Sequence, residues 1–172
     1  MDIKELKPTS IWHYFDAITG VPRPSKKEER IREFLLNFAK EQNLEVKVDK
    51  TGNVVITKEA TPGCEGAPTV ILQAHMDMVC EKNGDVKHDF ERDPIETYID
   101  GEWVKARGTT LGADNGIGMA AAMAVLADKE LKHGRIQALF TVDEETGLTG
   151  AFELGEDMLT GKYLVNLDSE DE

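Results

Sequence analysis

Four short stretches of the chain each carry a side chain able to bind a metal ion. They are Gln73-Ala-His75-Met-Asp77, Leu111-Gly-Ala-Asp114-Asn-Gly116, Asp143-Glu144-Glu145-Thr-Gly147 and Asn166-Leu-Asp168. Imidazole and carboxylate donors at ~2.0–2.2 Å suit zinc. A carboxylate-rich set suits manganese or cobalt as well. Brought together, these groups predict a hydrolytic metal site. His75 and Asp77 are two apart at a strand end, so both can point to one face, with Asp77 holding the imidazole in its metal-binding tautomer. Glu144 and Glu145 are adjacent at a strand-to-turn junction. One of such a pair can ligate an ion while its neighbour reaches the water activated there.

The elements that must position these groups are legible from the apolar pattern. Apolar runs at Thr69–Ala74, Ile136–Val142 and Tyr163–Leu167 read as buried strands, and His75, the 143–145 acids and Asp168 each follow one of them. Sites in parallel α/β sheets lie beyond the carboxyl ends of strands, so the strands deliver the donors to one edge. From Asp114 the pattern turns helical, with Gly116-Ile-Gly118-Met followed by the alanine-rich run to Ala127. Such a nearly all-apolar helix packs against a sheet. The glycines around Asp114 do not fit a phosphate loop, since no Gly-Lys-Ser/Thr ending follows. They are expected to let the backbone crowd a metal-bridging carboxylate.

Thr9 or Ser10 is expected to cap a first helix carrying Ile11, Trp12, Phe15 and Ile18, closed by Gly20 and the Pro22-Arg-Pro24 turn. Ser25 and Glu28 have the spacing of a capping box for a second helix, with Ile31, Phe34, Leu35 and Phe38 on its apolar face. Leu44–Asp49 and Asn53–Lys58 read as an antiparallel pair around Lys50-Thr-Gly52, followed by a loop from Ala60 to Pro68. The polar excursion from Glu81 to Arg107 holds a hairpin at Asp100-Gly101, expected near the site mouth. A short helical segment is expected near Phe152. The alternation of strands and helices gives an α/β fold, a mixed, mainly parallel sheet flanked by helices.

At 172 residues the chain is about one domain long. Its 40% hydrophobic and 31% charged content is that of an ordinary folded protein. A net charge of −13 without clustered Lys and Arg argues against a nucleic-acid partner. Cys64 and Cys80, the only cysteines, form neither a disulfide framework nor a zinc knuckle. The longest apolar run, Met119–Ala127, is too short to span a bilayer, and the first residues hold no apolar leader. No membrane partner and a cytoplasmic location are the expectations.

The four stretches together resemble the M20 family of di-metal peptidases, most of all its aminoacyl-histidine dipeptidase (Xaa-His dipeptidase, carnosinase) branch. The resemblance runs from Ser10-Ile-Trp-His-Tyr-Phe15 to the last strand, and the Gly108-Thr-Thr-Leu-Gly-Ala-Asp114-Asn stretch carries most of it. It implies a Zn-peptidase-like catalytic domain binding two divalent ions, zinc first, with cobalt or manganese as alternatives. By it His75 ligates one ion, Asp114 bridges both, Glu145 completes one side and Asp168 the other. Asp77 orients His75, and Glu144 is the general base. The implied substrate is a small peptide, a dipeptide with a free amino terminus and histidine on its carboxyl side. A homodimer is the further expectation for the full-length enzyme.

The family's fifth ligand is a second histidine that follows an inserted lid domain. This chain stops four residues beyond Asp168, and His13, His88 and His133 do not match that position. Residues 1–172 are therefore expected to be the N-terminal part of the catalytic domain, without lid or C-terminal part, and inactive alone with one ion weakened. Two alternatives stand beside this reading. The Glu144-Glu145-Thr-Gly-Leu-Thr-Gly-Ala stretch is also similar to di-metal aminopeptidases of the M42 and M28 types, and the chain could be a metal-binding fragment without catalysis.

Overall fold

The computed structural model describes residues 2–168. After a short 3-10 turn at Ile3–Glu5, α1 spans Thr9–Thr19 and α2 spans Glu29–Glu41. Phe15 and Ile18 of α1, and Ile31, Leu35 and Phe38 of α2, are buried. These are the apolar stripes expected from the 3.6-residue period. The two start signals are used differently from expectation. Thr9 and Ser10 lie inside the first turn of α1, whose N-cap position is Pro8 and has no side-chain cap. At α2 the Ser25 and Glu28 side chains both turn away from the helix, to Asp77 and to the Asp143 amide. A buried partner elsewhere engages each side chain, and Glu28 accepts the Lys26 amide as well.

The strands β1 (Glu45–Val48) and β2 (Val54–Lys58) form the expected antiparallel pair. Asp49 closes their turn, its Oδ1 accepting the amides of Thr51, Gly52 and Asn53 at 2.9–3.0 Å. β3 is Val70–His75, and β4 (Thr97–Asp100) and β5 (Trp103–Ala106) make a separate hairpin pairing Asp100 with Trp103. Next come α3 (Ala113–Ala127), β6 (Ile136–Thr141), the short helical turns α4 (Glu144–Gly147) and α5 (Thr149–Phe152), and β7 (Tyr163–Asn166). The main sheet has the order β1-β2-β6-β3-β7. β2 runs antiparallel to both β1 and β6, while β3 is parallel to β6 and β7. All strands except β2 therefore point the same way, and the sheet is mixed and mainly parallel.

Alternation along the strands divides the core. Val54, Ile56, Ala74, Ala138 and Phe140 join the three long helices in one large cluster on one face. Val55, Ile71 and Leu139 pack on the other face with Met158, under the 148–159 segment. α3 is buried along most of its length, as its composition requires. Its first turn is irregular, because Asp114 and Asn115 depart from helical angles. The hairpin's Ile99 and Val104 pack against the large cluster and share a cavity with residues of α1 and the start of α3. There Trp12, Ile99, Val104, Leu111, Ala113 and Ile117 line a cavity of about 400 Å³. Among the described residues no helix is long and apolar enough to cross a membrane.

Candidate metal centre

β3 ends at His75 and β6 at Thr141, and these two residues are partners in the parallel register. The next residues of both strands therefore emerge side by side. His75 and Asp77 are fully buried. His75 Nδ1 lies 3.2 Å from Asp77 Oδ1 and 3.1 Å from the Asp77 carbonyl oxygen, two acceptors that assign a proton to Nδ1. Nε2 is left facing the carboxylates. It lies 2.9 Å from Asp114 Oδ1, 3.7 Å from Asp168 Oδ1 and 3.9 Å from Glu144 Oε2.

Two groups of donors converge on this nitrogen, His75 with Asp114 and Asp168, and His75 with Glu144 and Glu145. Within each group one ligand atom per residue lies within 4.8 Å of every other. All four donors assigned from sequence, together with Glu144, are thus gathered at one sheet edge. His13, His88 and His133 belong to neither group. An imidazole fixed through its second nitrogen and facing several carboxylates is the donor set that divalent zinc, manganese or cobalt takes.

The charges are arranged to favour a cation. Burial alone would raise the Asp77 carboxyl, but hydrogen bonds from His75, Ser25 and the Glu144 amide outweigh it and hold its pKa at about 2. Burial would likewise pull His75 down. The carboxylates of Asp77 and Asp114 overcome that and bring its pKa to about 9. Glu144 and Glu145 are pushed upward, first by burial and then by the neighbouring acids. Acids that repel one another and an imidazole that holds an extra proton are what a bound dication would relieve.

Several residues of the site were not singled out from sequence. Asn115 donates through Nδ2 to the Leu167 carbonyl at 3.2 Å and to Asp168 Oδ1, tying the start of α3 to the end of β7. Asp143 sits at positive φ and accepts the hydroxyls of Thr146 and Thr149, which folds the turn that presents the two glutamates. Arg23 is buried against the Met76, Asp77 and Gly112 carbonyls. The glycines also have another purpose than the one expected. A Cβ on Gly112 or Gly116 would strike the Arg23 guanidinium, and one on Gly118 the Asn115 side chain. They make room for these two side chains rather than for the Asp114 carboxylate.

The profile of peptidase family M20/M25/M40 matches residues 71–169, which hold every candidate donor gathered here. The chain belongs to this family. It is 52% identical over 171 residues to the cytosol non-specific dipeptidase of Escherichia coli (strain K12), covering 99% of this chain and 35% of that protein. Among solved structures, aminoacylhistidine dipeptidase from Vibrio alginolyticus superposes with a TM-score of 0.97 at 56% identity, over 100% of this chain and 35% of that one. A tripeptidase from Staphylococcus aureus superposes with a TM-score of 0.78 at 25% identity, over 93% of this chain and 43% of that one. The M20 chain therefore spans about a third of the length of its dipeptidase relatives.

Proposed function

We propose that this chain carries metal-binding residues of a dipeptidase that hydrolyses small peptides, with Xaa-His dipeptides as the preferred class. The observation that carries the reading is His75 Nε2, held toward Asp114, Glu144 and Asp168 by a buried Asp77. The name of the Escherichia coli relative, a non-specific dipeptidase, supports dipeptides as the substrate class, and that of the Vibrio relative supports histidine on the carboxyl side. In this reading His75 and Asp168 would hold one divalent ion and Glu145 another, with Asp114 between them. Zinc is the first candidate. The chemistry such ions supply is polarisation of the scissile carbonyl and acidification of a water.

The chain's own groups perform the rest. Asp77 fixes the His75 ring and, through the Glu144 and Glu145 amides, the turn that carries both acids. Glu144, raised by burial and by its acidic neighbours, suits a general base that takes the proton of the attacking water and passes it to the leaving amine. Burial of the Asp77–His75 pair keeps water from competing for the ring's Nδ1 proton.

In the parent enzyme, hydrolysis of Xaa-His dipeptides is tested beside other dipeptides and tripeptides. Preference for tripeptides would overturn the dipeptide assignment in favour of the activity named for the Staphylococcus aureus relative. The 172-residue chain by itself should bind metal but turn over little, because poorly positioned substrate can cost several kcal/mol of barrier. Robust metal-dependent turnover by this chain would overturn that part.

A further inference from the structure

The loop between α1 and α2 reaches three of the segments that bring donors to the centre. Arg23 is 2% exposed. Its Nη1 donates to the Met76 carbonyl at 3.0 Å and the Asp77 carbonyl at 2.8 Å, and its Nη2 to the Gly112 carbonyl. The Arg23 carbonyl in turn accepts the Met78 amide at 3.2 Å. Two residues on, Ser25 Oγ donates to Asp77 Oδ2 at 2.7 Å. Glu28 Oε1 then accepts the amides of Lys26 and Asp143, each at 2.9 Å. One loop thereby touches the end of β3 behind His75, the backbone before Asp114, and the turn before Glu144.

A buried guanidinium is costly unless its protons are matched. Here they are matched by backbone carbonyls rather than by a carboxylate. The planar fork of arginine spans carbonyls from two separate segments, which the point charge of lysine does not. Burial pulls the Arg23 pKa down to about 10, while the charges of Asp77, Asp114 and Glu145 oppose that fall. The guanidinium is thus both a geometric link and a cation behind the acidic cluster. Gly112 and Gly116 leave the space it occupies.

We propose that Arg23, Ser25 and Glu28 form one positioning unit that sets the separation of the His75, Asp114 and Glu144–Glu145 segments, with Arg23 as its principal member. The unit acts through the donors and touches neither ion nor substrate. This inference rests on the metal-site reading above, and its test keeps the two apart.

The test is cobalt titration of the 172-residue chain followed by visible absorption, whose bands report ligand geometry, with circular dichroism as the check on folding. Wild type is compared with Arg23→Lys, Arg23→Met and Ser25→Ala. Removing partners that orient ligands typically weakens metal affinity about 10–100-fold. Both arginine variants should show that loss together with altered bands, and Ser25→Ala a loss of about tenfold. Wild-type bands and affinity in either folded arginine variant would overturn the proposal. Should both arginine variants fail to fold, Ser25→Ala decides, and unchanged bands there overturn it. A wild-type chain without cobalt bands overturns the metal reading itself, a result distinct from bands that survive in every variant.

Discussion

Asp77 accepts the backbone amide of Glu144 at 3.0 Å with the same Oδ1 that meets His75 Nδ1. Its other oxygen accepts the Glu145 amide at 3.2 Å and the Ser25 hydroxyl at 2.7 Å. One buried carboxylate thus orients the imidazole and both glutamates. In Asp77→Asn an NH₂ group must replace one of these oxygens. It then faces either the Glu145 amide and the Ser25 hydroxyl or the His75 ring and the Glu144 amide, so a donor meets donors. Zinc affinity should fall about 10–100-fold, the usual effect of losing a group that orients a ligand. Calorimetric titration checks this, and wild-type affinity in a folded Asp77→Asn chain would remove Asp77 from its orienting role.

The pH dependence follows from His75. Its folded pKa, about 9, lies above the 6.5 of an ordinary histidine, so the protonated ring stabilises the ion-free chain below pH 6.5. That contribution is lost as pH rises toward 9. Zinc requires the neutral ring, so binding at pH 7 should release about one proton, and affinity should climb about tenfold per pH unit up to 9. Calorimetry at pH 7 in two buffers of different protonation enthalpy measures the release. Equal heats in both buffers would mean that His75 is already neutral.

How far the sequence foretold the centre depends on which kind of signal each residue leaves. His75, Glu144, Glu145 and Asp168 were legible because each follows an apolar run, and a strand in a mainly parallel sheet ends where a site can form. Asp114 was legible from the glycines around it, although those glycines serve Arg23 and Asn115. Ser25 and Glu28 misled for a physical reason. A serine and a glutamate three apart before an apolar stripe have the same pattern whether they cap the helix or leave it for Asp77 and Asp143. Arg23 left one faint signal, a charged residue held between Pro22 and Pro24. Its carbonyl partners lie 53 to 89 positions away, beyond the reach of any local pattern.

Gly112 is a second place where long-range packing governs a local choice. It has φ +70°, and a Cβ there would also meet the Arg23 guanidinium and Met78. Gly112→Ala should destabilise the chain by at least about 1–2 kcal/mol, the left-handed cost of an L residue. Urea unfolding checks it through the midpoint. An unchanged midpoint would show that the loop relaxes without loss and that Arg23 does not need this glycine.

The adjacent glutamates should fail differently when each loses its charge. In a full-length enzyme containing this segment, Glu144→Gln should keep fold and metal content yet lower kcat by at least about 10²–10⁴-fold, the usual contribution of a general base. The loss should sit toward the upper end because this base also has to deprotonate a metal-bound nucleophile, and Glu144, raised by burial and then by its acidic neighbours, is suited to hold that proton. Glu145→Gln should instead lower metal content, since an amide oxygen is a poorer donor to a dication than a carboxylate. The turn should stay folded in both variants, because the contacts that hold it to Asp77 use the backbone amides of these residues rather than their side chains. Emission spectroscopy for metal content, run beside steady-state rates, separates the two effects. If Glu144→Gln loses metal while Glu145→Gln retains it, the roles of base and ligand are exchanged between the two residues.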